Sequence, residues 1–114
     1  GEELNSEVDE AQIIMSPYIT FPNGNFRGEI LFMIMYRMHS GLGRGNLVWK
    51  PVYKSEVKPN TGVRNGPTKF EFNQFSMLVS DLCAGDKEKE IKIEFFKSQK
   101  SGKHMNIGQC LSTV

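Results

Sequence analysis

The side chains able to do chemistry are few and far apart. The chain holds two histidines (His39, His104), two cysteines (Cys83, Cys110) and three aspartates (Asp9, Asp81, Asp86) in 114 residues. A catalytic nucleophile needs a base within hydrogen-bond reach and a third group to orient that base, and no spacing here suggests such a set. A zinc centre needs four clustered thiolates or imidazoles, and the sequence has no CxxC pair. Both cysteines therefore read as small buried apolar residues of a reducing compartment, and the lack of any Asn-x-Ser/Thr site points the same way. Gly41-Leu-Gly-Arg-Gly45 has the glycines of a phosphate cradle but not the Lys-Ser/Thr that would reach the phosphates, and no apolar helical pattern follows it. The residues predict no enzyme and no cofactor.

What remains is charge. The formal net charge is only +1. Yet residues 1–10 contain five of the 13 acids and no base, so all 14 Lys and Arg lie in residues 11–114. An acidic leader precedes a basic body. Lys97, Lys100, Lys103 and His104 fall within eight positions. In Leu47–Lys58 a strict alternation would place Lys50, Lys54 and Lys58 on one face and Trp49, Pro51, Tyr53, Ser55 and Val57 on the other. A basic body selects anionic partners: lipid headgroups, an acidic protein or nucleic acid. Near an anionic leaflet each Lys or Arg is worth about 1 kcal/mol, so three or four such residues matter.

The elements that must carry these lysines are short and strand-like. Ala11–Met15 is an apolar run stopped by Ser16-Pro17. Pro22-Asn-Gly-Asn25 is turn chemistry, flanked by Phe21 and Phe26 as candidate lipid-inserting or buried rings. Glu29–Arg37 is apolar on both faces, as expected of a covered strand. Pro51 places its strand at an edge or a bulge. Lys69–Phe72 and Glu90–Phe95 alternate cleanly, and turn residues separate all these runs. The pattern predicts an all-β, antiparallel β-sandwich as one domain over residues 11–114, with Ile30, Phe32, Ile34, Phe72, Ile91, Ile93 and Phe95 in its core. An oligonucleotide-binding barrel also suits basic residues and aromatics, but Phe70, Phe72 and Phe95 alternate with charges and read as buried, so no nucleic acid is expected.

Lys54-Ser-Glu-Val57, Leu82-Cys-Ala-Gly-Asp86, Ile91-Lys-Ile93 and His104-Met-Asn-Ile-Gly108 resemble the corresponding motifs of a C2 domain, most closely the second C2 domain of a copine. The likeness covers roughly residues 29–110, and its Leu-Cys-x-Gly-Asp turn is the most specific part. It implies an eight-stranded C2-type sandwich whose loops at one end hold calcium and touch membranes. The family's calcium-binding aspartates sit in a first and a third loop. Here the first-loop aspartate position falls on Ile30, after Arg27, Gly28 and Glu29, and the third-loop acidic positions hold Lys97, Gln99, Ser101 and Met105. Calcium wants six to eight oxygens, and an ammonium among them repels it. The resemblance thus implies a calcium-independent, non-catalytic domain that is cytoplasmic and peripheral at membranes. Its anionic phospholipid surface would be met by Lys97, Lys100, Lys103 and His104, with Lys50, Lys54 and Lys58 as the family's phosphoinositide-facing lysine patch. A protein–protein interaction module without lipid binding is the alternative. The family also carries a final strand after Ile107-Gly108, and the absence of an initiator Met suits a piece of a longer protein.

Overall fold

The computed structural model describes residues 11–40, 47–63, 66–83 and 90–113. Among these, nine strands and one short helix alternate: β1 (Gln12–Met15), β2 (Tyr18–Phe21), β3 (Ile30–Ser40), β4 (Leu47–Lys54), β5 (Lys58–Pro59), β6 (Thr68–Glu71), β7 (Phe75–Leu78), α1 (Val79–Cys83), β8 (Glu90–Lys97) and β9 (Met105–Thr113). The larger layer is antiparallel in the order β4-β3-β8-β9, with β5 also paired to β3. The smaller layer pairs β1 with β7 and β2 with β6. These two pairs are one ribbon interrupted at Pro17, which has no N–H to donate to a ladder. The Pro17 carbonyl still accepts the Phe72 N–H at 3.0 Å and so bridges the break.

Between the layers lies a core of Phe21, Leu31, Met33, Met35, Phe70, Phe72, Leu82, Ile91 and Phe95. Phe70 meets Phe72 edge-on at 4.9 Å, and Phe72 lies 5.8 Å from Phe95, so none of these rings is free to stack on a base. Two of the expected core residues are displaced by one position. Leu31, Met33 and Met35 point inward, leaving Ile30 exposed and Ile34 only half-buried. Phe32 is buried, but on the outer face, where it stacks on Phe96 at 5.1 Å. A strand apolar on both sides gives no pattern from which to read its phase, and a one-residue slip exchanges the faces.

Where β4 stops and β5 has not begun, β3 would lose its ladder partners. Ser55 fills that gap, donating its backbone N–H to the Met33 carbonyl and accepting the Met33 N–H on Oγ at 2.8 Å. Cys110, expected to be buried, is exposed on β9, which among the described residues is the last strand of the larger sheet. The Cys83 side chain, the Gly41–Gly45 loop, Asp86 and the acidic leader lie outside the described residues.

Candidate functional site

Three connections meet at one end of the sandwich: residues 22–29, 60–63 and 98–104. The first is a chain of tight turns with Gly24, Phe26 and Gly28 all at positive φ. Phe26 pays steric strain for that backbone, and its ring is held 5.6 Å from Phe21 against the core. Phe21 is buried and Phe26 half-buried against it, so both act as staples of the core. Asn60, itself buried, ties the loops together. Its backbone N–H donates to the Glu29 carbonyl, its carbonyl accepts from Gly28, and its side chain donates to the Phe26 carbonyl and accepts from Gly62. Arg27 reaches across, donating Nε–H to the Gly62 carbonyl at 3.1 Å. Gly62 must stay small, because a Cβ there would lie 2.7 Å from a Thr68 methyl.

The third loop is held by its own backbone and by His104. The Ser98 N–H donates to the Ile30 carbonyl, and Gly102, at φ 84°, donates to Gln99. The Gln99 N–H donates to His104 Nδ1 at 3.2 Å, while the imidazole meets Phe32 edge-on at 4.9 Å. His104 thus braces the loop, and its accepting Nδ1 is already used. Lys97, on the inner face beside Leu31, sets its Nζ 3.5 Å from a Glu29 carboxylate oxygen. The cation at this end is supplied by the protein, and it occupies the one acid of the first loop. Lys100 and Lys103 are exposed and, among the described residues, have no carboxylate partner.

The strand lysines do not form one face. Tyr36 pairs with Pro51 and Met35 with Tyr53, so Val52 is an extra residue in β4. That bulge reverses the alternation. Lys50 lies opposite Arg37 on the inner side, Lys54 opposite Ile34 on the outer side, and Lys58 opposite Leu31 at the rim. Lys54 stands 4.8 Å over the Phe32 ring, and Lys58 stands 5.4 Å over Phe70 while pairing with Glu56 at 3.7 Å. Lys92 is more fully engaged still, within 5 Å of both the Tyr36 and Trp49 rings and 3.0 Å from Glu94. Desolvation first, and the Glu94 and Glu56 carboxylates second, hold the Tyr36 and Tyr53 phenols above their ordinary pKa. Trp49 and Tyr53 are thus sheet-face residues, Tyr53 stacking on Phe75 at 3.6 Å.

Three exposed residues at the loop end are not among the binding residues that the sequence pattern singles out. Arg27 adds a third exposed cation, and Val63 and Met105 are 60% and 46% exposed. The available signal was a β-branched apolar side chain inside the turn chemistry of Asn60–Pro67. Among the described residues no three His, Cys, Asp or Glu converge in a way that would hold a metal, and no described helix is long and apolar enough to cross a membrane.

No family model matches the chain. A stretch of 58 residues, 51% of the chain, is 34% identical to Copine-A of Dictyostelium discoideum, and it spans 9% of that protein's length. The solved structure BON1-C2B superposes with a TM-score of 0.55 over 95% of this chain and 68% of that one, at 18% identity. The chain has the C2 fold and resembles a copine.

Proposed function

We propose that this domain is a non-catalytic module that docks on anionic phospholipid without calcium, through the loop end that carries Arg27, Lys100 and Lys103. The observation that supports it is the combination at that end: three exposed cations without carboxylate partners among the described residues, beside exposed Val63 and Met105. Cations are drawn to an anionic leaflet, and a few apolar side chains among them gain by entering the headgroup boundary. The outer-face lysines contribute less, because Lys54 and Lys92 are already engaged by aromatic rings. The protein acts at the cytoplasmic side of a membrane as a peripheral component.

Co-sedimentation with phosphatidylserine-containing vesicles in the presence of chelator tests this. Binding is expected at low salt and should weaken as salt shortens the screening length to about 3 Å at 1 M. Reversing Arg27, Lys100 and Lys103 to Glu removes three cations worth about 1 kcal/mol each and adds three repelled anions, so affinity should fall by more than about 100-fold. Lys97→Ala should change it much less, since Glu29 already offsets that charge. A triple variant that sediments like the parent would sink the lipid reading and leave a protein-interaction module.

Calcium independence has its own test. A cation that binds only the native state raises its stability by mass action. Because the Lys97 ammonium sits against Glu29, millimolar calcium should leave the melting temperature unchanged. A rise reversed by chelator would refute this.

A further inference from the structure

The cations at the loop end are not held alike. Lys100 and Lys103 carry exposed ammonium groups on flexible stems, with no carboxylate partner among the described residues. Arg27 is fastened: its Nε–H donates to the Gly62 carbonyl at 3.1 Å. Gly62 is fixed in turn, because its N–H donates to Oδ1 of buried Asn60 and a Thr68 methyl lies 2.7 Å from where its Cβ would be. A guanidinium held through Nε still presents its two terminal nitrogens as a planar fork. Among the described residues nothing accepts from that fork. Beside it, where the first two connections meet, is a cavity of about 240 Å³ lined by Arg27, Gly28, Pro59, Asn60 and Thr61. Arg27 is the one charge in that lining. Asn60 has both ends of its amide engaged, with Phe26 and with Gly62, and Pro59 has no N–H. Thr61 is exposed and adds a hydroxyl with no partner among the described residues.

Resting on the reading of this end as the one that meets lipid, we infer that the cavity takes a terminal phosphate, a phosphomonoester held by the Arg27 fork and the Thr61 hydroxyl. Charge and shape select that group. Serine, ethanolamine and choline headgroups all carry an ammonium, which would meet a guanidinium in a lining with no carboxylate to hold it. A phosphomonoester carries about −1.5 to −2 charges near pH 7 and three unsubstituted oxygens. Two of them accept from the fork in its plane, and the third is left for the hydroxyl. A phosphodiester or a carboxylate has only two such oxygens and a single charge. Lysine could not stand in for Arg27, since an ammonium is a point charge that cannot hold Gly62 and present a fork at once.

Two arms separate a lipid-borne phosphate from a soluble one. In chelator, vesicles containing phosphatidic acid are compared with vesicles containing phosphatidylglycerol, a diester without an ammonium, at matched surface charge. The parent should bind the phosphatidic acid vesicles about tenfold more tightly, roughly the effect of one hydrogen bond to a charged group. Arg27→Lys keeps the charge and should bring the two affinities together, whereas Lys100→Ala should weaken both and leave their ratio as in the parent. In solution, glycerol phosphate should shift the amide resonances of Thr61 and Gly62 saturably in the parent and not in Arg27→Lys. A vesicle preference assigns the phosphate to a lipid headgroup, and saturable shifts without a preference assign it to a soluble phosphomonoester. A parent that shows neither overturns the inference, as does an Arg27→Lys variant that keeps either. The membrane reading falls only if neither vesicle is bound, so the two failures are distinct. Should Arg27→Lys lose its melting transition, Thr61→Val takes its place, and an undiminished preference in that variant overturns the inference.

Discussion

Met35→Ala is expected to destabilise the domain by about 2–5 kcal/mol, a large share of the roughly 5–15 kcal/mol that holds an ordinary domain folded. Met35 is fully buried, flanked on β3 by fully buried Met33 and covered by the smaller layer. Truncation removes three heavy atoms from a site whose neighbours are themselves pinned in sheets, so little collapse can fill the void. The neighbouring Ile34→Ala supplies the contrast. Ile34 lies on the outer face, half-buried beside Lys54 and Glu94, and its loss should cost clearly less. Urea unfolding of the two variants reads the phase of β3 directly. Equal losses, or a larger loss at Ile34, would mean that the strand faces the other way.

That phase is also where the sequence was hardest to read. Strands with one wet face, Lys69–Phe72 and Glu90–Phe95, announce their inward residues by alternation, and Phe72, Ile91 and Phe95 lie in the core as that alternation requires. β3 is apolar at Ile30 through Tyr36 and announces nothing, so the sequence alone puts Ile30, Phe32 and Ile34 inside, whereas Leu31, Met33 and Met35 take those positions. The lysine face failed for a different reason. Period-two counting assumes an unbroken ladder, and one extra residue at Val52 separates Lys50 from Lys54. Pro51 hinted at irregularity but not at its exact place. The loop lysines could be read because loop position depends on turn residues rather than on register. Their engagement could not: the Lys97 pairing with Glu29 joins residues 68 positions apart, and only the closure of the sandwich brings them together.

Ser55→Ala is expected to cost about 1–3 kcal/mol, far more than a serine-to-alanine change on the surface. The argument rests on what the hydroxyl replaces. β3 pairs with β4 as far as Ile34–Lys54 and resumes with β5 at Leu31–Lys58, leaving Met33 between the two ladders. Its carbonyl accepts the Ser55 N–H at 2.9 Å, its N–H donates to Ser55 Oγ at 2.8 Å, and the hydroxyl donates onward to the Glu56 carbonyl at 2.9 Å. Ser55 is 6% exposed and Met33 is fully buried, so no solvent stands ready to take over. Alanine keeps the backbone bond and removes both hydroxyl bonds, which leaves a buried donor without an acceptor, and such a group bears its full desolvation cost. Ser101→Ala is the matched comparison, since Ser101 Oγ accepts the Lys103 N–H in an exposed loop where water can substitute. It should stay within about 0.5 kcal/mol of the parent. Amide exchange localises the effect: protection at Met33 should drop more than at Met35, whose neighbours on both sides are strand-paired. If Ser55→Ala matches Ser101→Ala in stability, the hydroxyl is not what closes the gap between β4 and β5. The sheet must then hold its central strand across that gap by packing alone.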